Sequence, residues 1–162
     1  MLKPILILAY GNPSRGDDAL APLLLEQIET FPAELTENIE CLTDFQLQIE
    51  HALDLKQREL VLFVDASVAN QQAVELTQIN AINDNSYTTH AMSPQAVMQV
   101  YENIEKTSPP PCFLMSLQGL HFELGEGLSR EATQSLNQAI IKIKLLLAKP
   151  TLDCWQAQCD CV

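Results

Sequence analysis

The sequence predicts a three-layer α/β domain, with a mostly parallel sheet and helices on both of its faces. An unalternating apolar run at residues 4–10 is typical of a strand that is buried on both sides, as in parallel sheets. A turn rich in Gly, Pro and Asn follows at once and leads into a helical apolar stripe over residues 20–28. Further short apolar runs then alternate with helical stretches, which is the pattern of repeated strand–helix–strand units.

The composition indicates one folded domain. The chain has 162 residues, of which 47% are hydrophobic, enough for one sizeable core and too few for two comfortable ones. We expect the domain to span residues 1–150. Residues 151–162 are expected to form a flexible tail that contains Cys154, Cys159 and Cys161.

The charge and the apolar pattern exclude several classes of function. The formal net charge of −12 disfavours binding to nucleic acid and to anionic membranes. The N-terminal apolar run is short and lacks a small-residue cleavage site, and no apolar stretch approaches the roughly 20 residues of a membrane span. We therefore expect a cytoplasmic protein with reduced cysteines that binds neither nucleic acid nor membrane.

The first half of the chain supplies three predicted strands and two predicted helices. The strands are predicted at residues 4–10, 39–43 and 60–64, and the helices at residues 20–28 and 45–53. The segment 45–49 also alternates like a strand. Its apolar spacing continues with a helical period to Leu53, and a crossover is needed there, so we favour a helix.

The second half supplies two strands and two helices. The strands are predicted at residues 74–79, at an edge of the sheet, and at 112–117. One helix begins at Ser93, whose hydroxyl is a suitable N-cap and precedes a proline at the first helical position. Ser129 caps the last helix, which Pro150 ends.

Candidate functional side chains lie at three points where predicted strands and helices are joined. Asp17 and Asp18 come after the first strand, Asp65 ends the third strand, and His90 precedes the helix start at Ser93. In a doubly wound sheet these loops open at one edge, where two carboxylates and an imidazole can meet around Ni²⁺ or Zn²⁺. The simpler alternatives are a helix cap for the first two acids and a surface position for the histidine.

Other catalytic and binding signatures are missing from the sequence. Ser14 lacks the G-x-S-x-G pattern of a nucleophile elbow, and the first turn has neither G-x-G-x-x-G nor a Walker lysine. The cysteines of the tail are spaced C-x₄-C-x-C and lack a fourth ligand, which favours a dispensable extension over a soft-metal site.

The order of these motifs resembles the hydrogenase maturation endopeptidases over about residues 3–148. The resemblance is carried by Gly11-Asn12, Asp17-Asp18-Ala19, Val64-Asp65-Ala66, His90 and the late loop Phe122–Ser129. It implies a twisted five-stranded sheet. It also implies that Asp18, Asp65 and His90 are the catalytic residues that contact a metal.

The resemblance further implies a substrate and a partner. Members of this family remove the C-terminal peptide of a [NiFe]-hydrogenase large-subunit precursor after nickel insertion. The nickel belongs to the substrate, so we expect no tightly held metal in this chain itself. Asp17 and Asp44 are candidates for a helper acid or general base, and we assign both, with Gln46, to substrate binding.

The loop after Asp44 indicates a branch of the family. Many members have a glycine-rich loop there, whereas this chain continues with Phe45-Gln46-Leu47-Gln48-Ile49. That segment resembles the branch that serves soluble, NAD-linked bidirectional hydrogenases. We expect a different substrate preference at this loop.

Two other classes of function remain open. A receiver-type signalling module also has an acidic pair after its first strand and an Asp that ends its third. It needs a Lys after the last strand, where this chain has Gln118-Gly119. A noncatalytic nickel chaperone would use the same acidic cleft and is not excluded by the residues.

Overall fold

The computed structural model describes residues 2–82 and 92–160. Its strands are β1 (Ile5–Tyr10), β2 (Ile39–Asp44), β3 (Leu60–Ser67), β4 (Val74–Ile79) and β5 (Cys112–Gln118). Its helices are α1 (Leu20–Ile28), α2 (Ala33–Thr36), α3 (His51–Asp54), α4 (Pro94–Glu105), α5 (Arg130–Ala148) and α6 (Leu152–Ala157). A 3₁₀ turn, Gly16–Ala19, joins the loop after β1 to α1.

The strands form one mixed sheet in the order β2-β1-β3-β5-β4. All neighbours are parallel except β4, which pairs with β5 in the antiparallel direction at one edge. The predicted five-stranded, mostly parallel sheet is confirmed, and so is the edge position of residues 74–79. The parallel strands β1, β2 and β3 therefore end side by side at one rim of the sheet.

Helices cover both faces of the sheet, which confirms the three-layer architecture. On one face, α1, α5 and α6 pack against strand residues such as Ile7 and Leu62. On the other face, α3 and α4 pack against Leu8 and Phe63. Every residue of β1 is buried, because this strand has a helical layer on each side.

Both predicted serine caps are confirmed. The Ser93 hydroxyl accepts a hydrogen bond from the Ala96 N–H, and the Ser129 hydroxyl accepts one from the Ala132 N–H. Each serine satisfies an N–H group that the first turn of its helix leaves without a partner.

The predicted helix over residues 45–53 is wrong in its first half. Residues 45–50 form a loop, and the helix is limited to His51–Asp54. Leu47 is buried, whereas Phe45 and Ile49 on either side of it are exposed. Phe45, Ile49 and Leu53, which were predicted to lie on one buried helical face, are therefore exposed, and Leu47 is the side chain that anchors the loop in the core.

The prediction of a flexible tail is wrong for residues 151–160. Thr151 caps α6, which places Trp155 at zero exposure against Phe113, with ring centroids 5.3 Å apart. The indole N–H donates to the Leu146 carbonyl at 2.9 Å. The folded unit thus extends past the predicted boundary at residue 150, while Cys161 lies outside the described residues.

The end of the described chain also pairs with the edge strand β4. The Leu76 N–H donates to a carboxylate oxygen of Asp160 at 2.7 Å, and the Asp160 N–H donates to the Leu76 carbonyl at 2.9 Å. These bonds satisfy backbone groups on the side of β4 that faces away from β5. In the part of the chain that the structure describes, no helix has the length and apolar character needed to cross a bilayer.

Candidate active site

An open cleft of about 640 Å³ lies at the rim where β1, β2 and β3 end. Its lining includes Asp18, Asp44 and Asp65, one acid from the loop or end of each strand, together with Gln46. The other polar side chains of the lining are Tyr10, Asn12, Arg15 and Gln48. The structure therefore brings four of the residues predicted for the site into one cavity, at the edge where ligands bind in open α/β sheets.

The turn after β1 holds Asp18 through a close backbone approach. A side chain at Gly11 would place its Cβ 2.1 Å from the Asp18 carbonyl oxygen, so this position requires glycine. The Asn12 N–H donates to the Asp18 carboxylate at 2.6 Å. The Gly11 N–H donates to the Asp44 carbonyl at 3.0 Å, which ties the turn to β2. Both the backbone and the carboxylate of Asp18 are thereby fixed at the cleft.

Asp65 is the acid whose ionisation the fold perturbs most clearly. Burial raises its pKa from 3.8 to about 7, and the negative charge of Asp18 adds to the increase. Hydrogen bonds from the Ala66 N–H and the Tyr10 hydroxyl act in the opposite direction. Burial and the Asp65 charge also raise the pKa of Tyr10, so this phenol stays protonated. Asp65 can consequently exchange a proton near neutral pH, as acid–base chemistry requires.

Asp44 occupies the opposite side of the cleft. Strand pairing sets Asp44 level with Tyr10, and Val64 pairs with the residue before that tyrosine. Adjacent strands are about 4.8 Å apart, so the Cα atoms of Asp44 and Asp65 are separated by roughly 10 Å across β1. One Asp44 oxygen accepts a hydrogen bond from the Phe45 N–H at 2.7 Å. The other lies 3.4 Å from Nε2 of His51.

The assignment of Asp17 to substrate binding is wrong. Its side chain has no exposed surface and accepts four hydrogen bonds from the loop before α5. The donors are the N–H groups of Leu120, His121 and Ser129 and the Ser129 hydroxyl, at 2.7–3.0 Å. Burial opposes ionisation, but these bonds outweigh it and lower the pKa of Asp17. This acid joins two loops and does not reach the cleft.

Solved structures of known proteases share this architecture. The [NiFe] hydrogenase maturation protease HycI from Thermococcus kodakarensis KOD1 is 19% identical, with 91% of this chain and 93% of that chain covered and a TM-score of 0.67. The hydrogenase maturating endopeptidase HybD from E. coli is 20% identical, with 88% and 90% covered and a TM-score of 0.65. An endopeptidase from Escherichia coli is 18% identical, with 93% of each chain covered and a TM-score of 0.69.

The chain has the fold of the hydrogenase maturation proteases. No family model and no curated protein sequence matches it. The sequence identities of about 20% to the solved structures establish the shared fold, which extends over about nine tenths of both chains in each comparison.

The predicted metal site is only partly described. Asp18 and Asp65 face the same cleft, whereas His90 lies outside the described residues. Within residues 2–82 and 92–160, no three His, Cys, Asp or Glu side chains are grouped closely enough to hold a metal ion. The ligand set of Asp18, Asp65 and His90 therefore stays a prediction.

Three residues of the site were missed by the sequence reasoning. Tyr10 contacts Asp65 from the end of β1, Arg15 contributes a positive charge to the cleft, and His51 approaches Asp44. Tyr10 is the one with a visible signal, because a strand that is buried throughout ends there in a residue with a polar tip. His51 is brought close to Asp44 by the loop at 45–50, which the sequence does not predict.

Proposed function

We propose that this protein is an endopeptidase that removes the C-terminal peptide of a [NiFe]-hydrogenase large-subunit precursor. The observation that carries the proposal is the pair Asp18 and Asp65, which face one cleft at the carboxyl ends of adjacent strands. The fold shared with maturation endopeptidases supports the same activity. The cleft is open, as the processing of a folded protein's terminal segment requires.

The nickel ion in this proposal is part of the substrate. Asp18, Asp65 and His90 complete the coordination of nickel that the precursor already contains, and so hold the scissile peptide beside the cleft. Two carboxylates and an imidazole are suitable ligands for a first-row divalent metal. When bound, the metal polarises the peptide carbonyl or lowers the pKa of a bound water. The net charge of −12 favours the approach of a cationic centre.

The raised pKa of Asp65 has a consequence for this recognition. With a pKa of about 7, the carboxyl is partly protonated at neutral pH, and a metal ligand must be deprotonated. If Asp65 is a ligand of the substrate's nickel, binding of the loaded precursor displaces the proton that a fraction of the protein carries on this carboxyl at neutral pH.

We also infer that the precursor belongs to a soluble, NAD-linked bidirectional hydrogenase. The loop at residues 45–50 is part of the cleft wall and carries an exposed Phe45 beside Gln46. It lies where the family that the sequence resembles commonly has a glycine-rich loop, so it supports a separate substrate preference. Exchanging precursors from different hydrogenase classes tests this inference directly.

Processing of a purified precursor tests the proposed function. Nickel-loaded and nickel-free large subunits are incubated with the protein, and the products are weighed by mass spectrometry. We expect loss of one C-terminal peptide from the loaded form alone. Cleavage of neither form would refute the protease and leave the chaperone alternative, whereas equal cleavage of both would refute nickel recognition.

Variants connect the activity to the cleft. Asp18→Asn and Asp65→Asn keep the shape of each side chain and remove its charge, and we expect each to lower processing of loaded precursor at least a hundredfold. Asp153→Asn is the matched control, because Asp153 is exposed on α6, away from the cleft lining. Full activity of both cleft variants would contradict the assignment.

A further inference from the structure

His51 makes different contacts through its two ring nitrogens. Nδ1 accepts a hydrogen bond from the Gln48 N–H at 2.8 Å, so this nitrogen carries no hydrogen. In the neutral ring the hydrogen is then on Nε2, which lies 3.4 Å from Oδ2 of Asp44. The loop at residues 45–50 thereby selects the tautomer that has its hydrogen on Nε2, the nitrogen nearer to this carboxylate.

The Asp44 carboxylate contacts the protein through both oxygens and is also exposed to the cleft. Oδ1 accepts from the Phe45 N–H at 2.7 Å, and Oδ2 faces the imidazole. The Asp44 side chain is still 38% exposed and lines the cleft, whereas the His51 side chain is 13% exposed and does not line it. Each carboxylate oxygen can accept a further hydrogen bond, and within residues 2–82 and 92–160 no additional donor reaches either of them.

We propose that His51 is a positioning residue that fixes Asp44 as an acceptor for an N–H donor of the bound polypeptide. This inference rests on the proposed protease function, and it assigns Asp44 to substrate binding and not to proton transfer. The Nε2–Oδ2 distance is long for a hydrogen bond in the free protein. Such contacts in unliganded sites commonly shorten when the substrate engages the acceptor.

The wider surroundings of His51 are consistent with this role. Asp54 lies on the same short helix, and its charge interacts with both His51 and Arg58. Glu105 of α4, the helix packed on α3, pairs with Lys56 at 3.2 Å and not with the imidazole. Asp44 is thus the acid that Nε2 approaches among the described residues.

Two substitutions of His51 distinguish its proposed contact with Asp44 from its hydrogen bond to the loop at residues 45–50. In His51→Gln the amide nitrogen reaches the place of Nε2 and can donate to Asp44. In His51→Asn the shorter amide reaches only the place of Nδ1, so it can accept from Gln48 but leaves Asp44 without its donor. The exposed His121 supplies the matched control, His121→Asn.

Steady-state processing of nickel-loaded precursor gives the expected pattern. His51→Gln keeps KM within about threefold of wild type, while His51→Asn and Asp44→Ala each raise KM roughly tenfold with little change in kcat, because a charge-assisted hydrogen bond is lost. Adding His51→Asn to Asp44→Ala causes no further loss, since one residue acts through the other. The proposal is overturned if His51→Asn lowers kcat at an unchanged KM. It is also overturned if the double variant has a higher KM than Asp44→Ala alone.

A second measurement keeps this test independent of folding and of the substrate. Long-range ¹H–¹⁵N NMR of the wild-type imidazole is expected to report a hydrogen on Nε2, and a hydrogen on Nδ1 overturns the proposal. If wild-type protein does not cleave loaded precursor, the proposed function fails, and the NMR spectrum still decides the tautomer of His51 on which the inference depends. If wild type cleaves and His51→Asn does so with an unchanged KM, the inference about His51 fails alone.

Discussion

Replacing Asp65 with asparagine is expected to make the protein more stable while abolishing its proposed activity. The carboxyl has a pKa of about 7 in the folded protein and 3.8 as its usual value. A group that binds its proton more tightly when folded lowers stability as the pH rises from the unfolded to the folded pKa. The cost of ionising Asp65 is therefore present at pH 8 and mostly absent near pH 4.

The size of the effect follows from that difference. A shift from 3.8 to about 7 corresponds to an upper limit of about 4 kcal/mol. Water in the open cleft screens part of the charge, so we expect Asp65→Asn to be about 2 kcal/mol more stable than wild type at pH 8, and less than half of that at pH 5. The amide keeps an oxygen that can accept from Tyr10.

Urea unfolding between pH 5 and pH 8 measures this difference. With a slope of roughly 2 kcal/mol per molar urea, the midpoint of Asp65→Asn is expected about 1 M above wild type at pH 8. Asp153→Asn, on the exposed side of α6, serves as the control and is expected to show no such pH dependence. A variant no more stable than wild type at pH 8, or a gain that does not shrink at lower pH, would refute the reasoning.

Three further substitutions test the scaffold of the site, each by urea unfolding. Gly11→Ala is expected to lower the free energy of unfolding by about 3 kcal/mol or to prevent folding, because the added Cβ would lie 2.1 Å from a backbone oxygen. Gly127→Ala is the control and is expected to be nearly neutral, because nothing lies within 4 Å of its added Cβ. Asp17→Ala removes the acceptor of three backbone N–H groups and leaves a cavity in place of a fully buried side chain, and we expect it to lower the free energy of unfolding by about 3 kcal/mol. A loss below about 1 kcal/mol would contradict the loop connection. Trp155→Ala is expected to cost about 3–5 kcal/mol, whereas a flexible tail predicts no loss.

The parts of the fold with strong local signals could be predicted from the sequence. The buried strands are visible in the sequence as continuous apolar runs. Asp44 and Asp65, which follow two of these runs, line the cleft. The position of Asp18 at the cleft was anticipated. The burial of Asp17 was not, because its partners lie more than a hundred positions away in the sequence.

Two misreadings have a common physical cause. At residues 45–50, the single buried Leu47 produces an alternation that resembles the period of a regular element. In the tail, Thr151 is a good N-cap and Trp155 is the chain's one tryptophan, but six residues are too few for a convincing helical period. In both places a tertiary contact decides the structure, and short segments carry too little local information to reveal it.

The pairing of Asp160 with β4 sets an order of events during synthesis on the ribosome. Leu76 and Asp160 are 84 positions apart, so at 5–20 residues per second the outer side of β4 waits roughly 4–17 s for its partner. Its antiparallel neighbour β5 emerges earlier, at Cys112–Gln118. From the time β4 pairs with β5 until Asp160 is in place, the nascent sheet has an uncovered edge at β4, the kind of surface on which separate chains associate. The final turn of the described chain therefore protects the protein's own production as well as its finished state.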